Sequence, residues 1–455
     1  MRPLISILCL AVATHCWAED KPLYKAALST TGNSLVQIPV TSDSPEAKQL
    51  VNLGLQHFLL GETELACSMY QEAVQADSTC ILAHAGILIT TAPGSPIYKE
   101  HLSQLNSLLP GALLTPVEEW YLSTLLQYAS GDFHGTAAAL KERAALYRRD
   151  IFTACWDIIL NHHAGNNKTS ELTGRADALI RRYPENGMVN YCRALLEEHS
   201  SSPTNTALTC SRKATKFLSA SPVPYLLAGR LQYNSSNPEA AAELFQQALD
   251  TATPGSVSHL VARLSHISAL ISIGNESTRA QAIQEARKIA QNTSSCALNT
   301  PAGTLQHWEG KTLLLRLLVL QSSAPAGQAI NTAAKACNTE EKDPLYSMKE
   351  CLVEAIRTRC LAESNRKSIA IRQLSKAEKH YQDLLRAGKD CVQKGGMTAI
   401  CMQRATQACM AALYRAKIAL YPGSKDIWTE HLNEVLNKPQ PRFLPPVLPQ
   451  SNTSR

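Results

Sequence analysis

Residues Lys48 to Cys80 read KQLVNLGLQHFLLGETELACSMYQEAVQADSTC, two apolar-periodic segments separated by Gly61. Leu50, Leu53, Gly54, Gly61, Ala66, Tyr70 and Ala73 sit at the offsets that matter. Small residues at Gly54, Ala66 and Ala73 let two antiparallel helices approach closely, and Gly61 permits the turn between them. Leu50, Leu53 and Tyr70 fill the wedge between that pair and the next. The stretch therefore predicts a helical hairpin.

The same offsets return at Tyr225, Ala228, Gly229, Ala241, Phe245 and Ala248. Gly229 to Ala241 is 12 residues, as is Gly54 to Ala66, and Phe245 stands where Tyr70 stood. This spacing resembles the tetratricopeptide repeat, a helix-turn-helix module of 34 residues that stacks into a solenoid. Gly131-Asp132-Phe133 resembles the turn of a further unit, with a second helix over 137–147, and Tyr183-Pro184-Glu185-Asn186 resembles a junction between repeats. Family coverage is good over 46–92 and 222–252, fair over 115–219 and poor beyond 255.

Local signals place the elements. Ser44-Pro45-Glu46 supplies a cap and a first-turn proline, and Thr115-Pro116-Val117-Glu118 is a capping box. Helices are expected at 45–60, 62–76, 79–92 (capped by Ser78), 96–108, 115–128, 151–163, 168–183, 185–199 and 204–218, with His162 and His163 in a polar loop. Longer helices follow at 256–273, 276–291, 302–321, 325–336, 344–364, 367–393, 397–420 and 424–436. With aromatics at only 5% of 455 residues, the composition suits close-packed helices better than strands. The expected fold is an all-α, tetratricopeptide-like helical-hairpin solenoid (44–254) ending in a longer-helix C-terminal bundle (255–436).

Both ends differ from this core. MRPLISILCLAVATHCWA (1–18) has Arg2, an apolar run and a small-residue site before Glu19, which reads as a secretory signal peptide. His15 ahead of Cys16 argues against lipoprotein processing. An extended arm follows over 19–43, and 437–455 is a Pro-rich tail. No later segment is long and apolar enough to span a bilayer. An exported chain, periplasmic or extracellular, is expected. Five Asn-x-Ser/Thr sites, at Asn167, Asn234, Asn275, Asn292 and Asn452, matter only in a eukaryotic secretory pathway.

Without the leader, 12 of the 14 cysteines remain, an even number that favours disulfides in an exported chain. Residues equidistant from a hairpin turn share a height, which suggests Cys192-Cys210 across a turn near Ser201 and Cys391-Cys401 across Gly395-Gly396. Cys296-Cys337 joins the outer ends of a later hairpin. Each needs an approach closer than ordinary helix packing gives.

Catalytic and cofactor signatures are missing: the chain holds no H-E-x-x-H, G-x-S-x-G, G-x-G-x-x-G or P-loop. No metal and no cofactor is expected. His259 and His266 share a helix face without a third ligand, and Cys391, Cys401 and Cys409 lack zinc spacing. The net charge of +6 falls to +5 once Arg2 is removed. Residues 366–394 carry eight basic and three acidic residues, also +5. Arg372, Lys376, Lys379 and Arg386 line one face there, either a solvated outer face over Leu374, Ala377, Tyr381 and Leu385 or a strip for an acidic partner or anionic envelope surface. Nucleic acid is not expected, since no aromatics interleave with these charges.

In the repeat family ligands commonly lie along a concave groove lined by the first helix of each repeat. The resemblance places Lys48, Val51, Leu55 and Phe58 there in the first unit, and Val223, Leu226, Arg230 and Tyr233 in the later one. The family's clamp for a peptide carboxylate uses Lys and Asn where this chain has Val51 and Leu55, so an apolar helix or extended segment suits the first unit better. The function implied is a non-catalytic protein-protein interaction scaffold for an unidentified protein or peptide. A glycan-capture protein is the alternative, and would need Trp120, Trp156, Trp308 or Trp428 to cluster in an exposed cleft; a hydrolase within 255–436 ranks below it.

Overall fold

The computed structural model describes residues 37–91, 94–164, 169–198, 200, 202–254, 256–291, 344–363, 365–394 and 396–437. The leader, the 302–321 and 325–336 helices, the Cys296-Cys337 pair, Trp308 and the Pro-rich tail lie outside these residues, as do the side chains of Cys391 and Cys401.

Fourteen helices form seven consecutive hairpins: α1 (Pro45–Leu60) with α2 (Thr63–Ala76), α3 (Ile81–Thr90) with α4 (Pro96–Leu108), α5 (Pro116–Ala129) with α6 (Phe133–Leu146), α7 (Ile151–Ala164) with α8 (Thr169–Arg182), α9 (Gly187–Leu195) with α10 (Asn205–Phe217), α11 (Pro222–Asn234) with α12 (Pro238–Thr251), and α13 (Val257–Ile273) with α14 (Glu276–Gln291). Successive first helices begin 35 or 36 residues apart. The family spacing thus continues for one hairpin past residue 255, where the sequence pattern had faded. Four further helices follow, the long α15 (Pro344–Glu363), α16 (Lys367–Lys394) and α17 (Gly396–Leu420) and the shorter α18 (Lys425–Asn437). α15 packs on α16 and α17, and α17 on α18. The chain is an all-α, tetratricopeptide-like solenoid.

Local chemistry sets most boundaries. The Ser44 hydroxyl accepts from the Ala47 amide at 3.2 Å, and α1 ends on Gly61 at φ +79°, a left-handed backbone that glycine adopts without strain. At the third hairpin, the Glu118 amide donates to Thr115 Oγ1 at 3.3 Å while Glu118 Oε2 accepts from the Thr115 amide at 3.0 Å, the reciprocal cap anticipated above. α6 starts at Phe133, ahead of the expected 137, because Asp132 Oδ1 caps it by accepting from the Gly135 amide at 2.9 Å. α3 starts at Ile81, after Cys80 and without a side-chain cap, so the Ser78 cap is not made.

Two features hold the helices together within and between hairpins. A Cβ added at Gly54 or at Gly86 would lie 2.5 Å from the Tyr70 ring, and one at Gly229 would lie 2.5 Å from Phe245 Cε1. Each ring therefore lies flush on backbone that no larger residue leaves bare. The extended arm is the second feature. Ile38 is buried, with its amide donating to Asn52 Oδ1 at 2.7 Å, and Thr41 donates through both its amide and its hydroxyl to the Glu118 carboxylate. Glu118 thus caps α5 and holds the arm at once, and the arm and cap amides and hydroxyls keep its pKa below the usual carboxylate range against the opposing effect of burial.

The apolar interior forms two clusters. One runs from Ile38 to Leu231 and the other from Leu226 to Leu420. They meet within α11, where Leu227 and Leu231 face the first and Leu226 the second.

Candidate interaction site

The hairpins wind tightly enough for the first to sit inside the turn made by the later ones. α1 packs against α7 across the solenoid. Phe58, near the end of α1, meets Tyr128 edge-on at 5.4 Å and Trp156 at 5.7 Å between ring centroids. This geometry overturns the apolar groove expected at the first unit. Val51 and Leu55 are 1% exposed and Phe58 7%, so all three are core, and only Lys48 faces solvent. Apolar residues on a concave face are hidden more favourably by the chain itself, since each large side chain removed from water contributes roughly 1.5–3 kcal/mol.

A polar cluster closes this contact. Glu62, just past the Gly61 turn, accepts from the Ser221 hydroxyl at 2.8 Å, and His57 Nδ1 lies 2.8 Å from the same Oε2 oxygen. Ser221 precedes α11, 159 residues further along the chain. Beside it the buried Tyr191 hydroxyl is held well above its ordinary pKa, first by burial and then by the Glu198 and Glu62 carboxylates. Arg230 Nη1 reaches Glu198 Oε2 at 3.4 Å, and Asn234 Nδ2 donates to the Glu198 carbonyl at 3.0 Å. The cluster opens to solvent at Arg230 and at Tyr233, which is 40% exposed and whose hydroxyl is 2.7 Å from Ser272 Oγ on α13. Val223 is half-buried and Leu226 buried, so the later unit offers a charged and hydrogen-bonding edge. Glu62, Ser221, Tyr191 and Glu198 escape sequence reasoning because nothing local marks a contact across five repeats; His57 and Glu62 flanking the glycine turn were the nearest signal.

The other candidates disperse. Cys192 and Cys210 are free, which corrects the pairing drawn from equal height on one hairpin. Cys192 turns toward Cys155 on α7, whereas Cys210 sits among Arg193, Lys213 and Asp177; sharing a height does not make two side chains face one another. Arg372, Lys376, Lys379 and Arg386 are all exposed on α16, with Leu374, Ala377 and Tyr381 buried behind them and Leu385 half-buried. Arg386 pairs with Asp383 at 3.0 Å. His162 and His163 lie in the last turn of α7 and not in a loop. Trp156 is buried, Trp120 lies under the Arg143 guanidinium at 4.2 Å, and Trp428 stacks with Tyr414 at 6.1 Å, so no two of these indoles share an exposed cleft. Among the described residues no three His, Cys, Asp or Glu converge as metal ligands, and no helix is long and apolar enough to cross a membrane.

Three histidines make folding sensitive to acid. His84 Nε2 donates to the Ser78 carbonyl at 3.0 Å, so its Nδ1 accepts from His101 Nδ1, also at 3.0 Å. Burial, and then His84, lower the His101 pKa. Burial lowers His259, with Arg263 adding to it, and lowers His266 against the opposing pull of Glu285 and Asp250. A histidine whose folded pKa lies below its unfolded value stabilises the fold above the unfolded pKa, and that contribution is lost as pH falls through it. Melting temperature is therefore expected to drop between pH 7 and pH 5, and His101→Gln should flatten the slope. A melting temperature that is flat or rises toward pH 5 would contradict this.

No protein-family model and no curated protein matches the sequence. Solved structures similar to the chain include a tetratricopeptide repeat protein from Parabacteroides merdae, at 13% identity over 65% of this chain and 95% of that one, TM-score 0.31. Human IFIT1 in a dimer with m7Gppp-AAAA gives 11% identity, 91% and 99% coverage and TM-score 0.35. Cut9 in the APC/C hetero-tetramer Cut9-Hcn1 gives 10%, 86% and 76%, and 0.34. The assignment of the chain as a tetratricopeptide-like solenoid rests on seven evenly spaced hairpins among the described residues and the ring-on-glycine contacts within and between them.

Proposed function

We propose that the chain is an exported, non-catalytic interaction scaffold of the cell envelope or secreted space that holds a protein or peptide on the open edge of α11 and α13. The observation that carries this reading is the pair of half-buried Arg230 and exposed Tyr233, held in place by Glu198 and Ser272 above a polar cluster that the chain closes on its other side. The chemistry suits a peptide carboxylate competing with Glu198 for Arg230, with a hydrogen-bonding group set against the Tyr233 hydroxyl. The first unit takes no part, since its groove residues are spent on core packing. The α16 strip offers a separate contact for an acidic partner or an anionic envelope surface.

Affinity capture from the native envelope tests the reading. The mature chain should retain a protein partner that an Arg230→Glu, Tyr233→Ala variant of unchanged melting temperature retains at least about tenfold less, the scale of losing one charge-assisted contact. A wild-type chain that retains nothing, or a variant that retains as much, would sink it.

A further inference from the structure

Cys155 and Cys192 stand on α7 and α9, the first helices of consecutive hairpins, which pack directly on each other. They are the fifth and sixth residues of those helices, so they occupy nearly equivalent places 37 residues apart. Equivalent places on successive first helices meet across the repeat interface. Both side chains are 0% exposed. Cys192 Sγ lies 3.9 Å from the Cys155 carbonyl oxygen, and Cys155 is near enough to add to the effect of burial in raising the Cys192 pKa. Cys210, the next cysteine along the chain, lies among Arg193, Lys213 and Asp177 instead.

We propose that Cys155 and Cys192 are oxidised to a disulfide that joins the fourth hairpin to the fifth. The structure holds them as thiols, so the bond needs a disulfide-bearing oxidant, either glutathione disulfide or a thiol-disulfide oxidoreductase. One cysteine thiolate attacks a sulfur of that oxidant, releasing the first oxidant thiol and leaving a mixed disulfide. The second cysteine thiolate attacks the protein sulfur of that intermediate and releases the other. Two electrons pass to the oxidant, and the two cysteine protons end on its two thiols. Burial pushes the Cys192 pKa well up and keeps the thiol protonated in the closed fold. Oxidation therefore belongs to the folding chain, before α7 and α9 close, and the finished bond is sealed from reductants. Its effect is to tie together the two hairpins that carry Trp156 and Tyr191, the inner wall on which α1 rests.

The test uses the full chain, refolded from guanidinium either with glutathione disulfide or with dithiothreitol, then alkylated unfolded and digested with trypsin. Cleavage after Arg193 separates Cys192, in YPENGMVNYCR, from Cys210, and Cys155 lies in DIFTACWDIILNHHAGNNK. The oxidised sample should yield these two peptides covalently joined, two hydrogens lighter than their sum, and the reduced sample should yield both alkylated. Recovery of alkylated Cys155 and Cys192 from the oxidised sample, or of Cys192 joined to any other cysteine, overturns the proposal. Melting provides a second readout that does not depend on how well a variant packs. The oxidised wild type should melt several degrees above the reduced form, and that difference should vanish in Cys155→Ala and in Cys192→Ala. A difference that persists in both variants assigns the stabilising bond elsewhere and also overturns it.

Discussion

Tyr70→Ala is expected to lower the unfolding free energy by about 3–5 kcal/mol, the range for deleting a large buried aromatic ring. Tyr70 is fully buried, and its ring is the spacer between the first and second hairpins, resting on Gly54 from one and Gly86 from the other. At both glycines the ring rests on helix backbone, so those two surfaces offer no side chain to fill the space it would leave. Tyr70→Phe should behave in the opposite sense. The Tyr70 hydroxyl is buried without a hydrogen-bond partner among the described residues, and burial holds its pKa far above normal. Removing it should be neutral or stabilising by up to about 1 kcal/mol, since an unpaired buried hydroxyl is a net cost. Urea denaturation of the three proteins checks both signs. A phenylalanine variant that loses as much stability as the alanine variant would show that the hydroxyl, and not the ring, holds the site.

Trp156→Ala is expected to cost a similar ~3–5 kcal/mol, but with a different spatial signature. The indole is 1% exposed, 5.7 Å from the Phe58 ring, 5.7 Å from Tyr128 and 5.5 Å from Phe152. Three of these four rings belong to the third and fourth hairpins, and Phe58 comes from the first. Losing the indole removes the surface against which α1 is seated, so the damage should concentrate there. Hydrogen exchange should accelerate at α1 amides well beyond any change at α12. A double-mutant cycle with Phe58→Ala should return a coupling of about 1 kcal/mol, the usual worth of an edge-to-face aromatic pair. Uniform acceleration along the chain would mean that α1 is held by other contacts, with Glu62 and Ser221 the first to test.

These two sites show how far local pattern reaches. Tyr70 was legible because everything that defines its role lies within one repeat and the start of the next. Gly54, Ala66 and Ala73 are small at helical offsets, and the turn glycine is in between. The recurrence at Gly229 and Phe245 confirmed the pattern without any tertiary information. The third hairpin was legible through the Thr115 and Glu118 cap, but the second role of Glu118, gripping Thr41 77 residues away, was not. A cap is specified by its own turn, whereas a contact between chain segments depends on where intervening helices deliver them.

The groove at the first unit failed for the same reason. Assigning Val51, Leu55 and Phe58 to a concave face was sound as helix geometry, yet exposure depends on how sharply the hairpins wind. That winding is the sum of small rotations at each repeat interface, set by side-chain volumes no single motif records. Cys192 is a parallel case: helix phase placed it level with Cys210, and packing turned it toward Cys155. By itself, the stretch from Lys48 to Cys80 determined the hairpin, its turn and the ring that spaces it from its neighbour. Only the tertiary structure decided that this hairpin fills its own solenoid, because burying an apolar concave face is a property of the whole curve and not of any repeat in it.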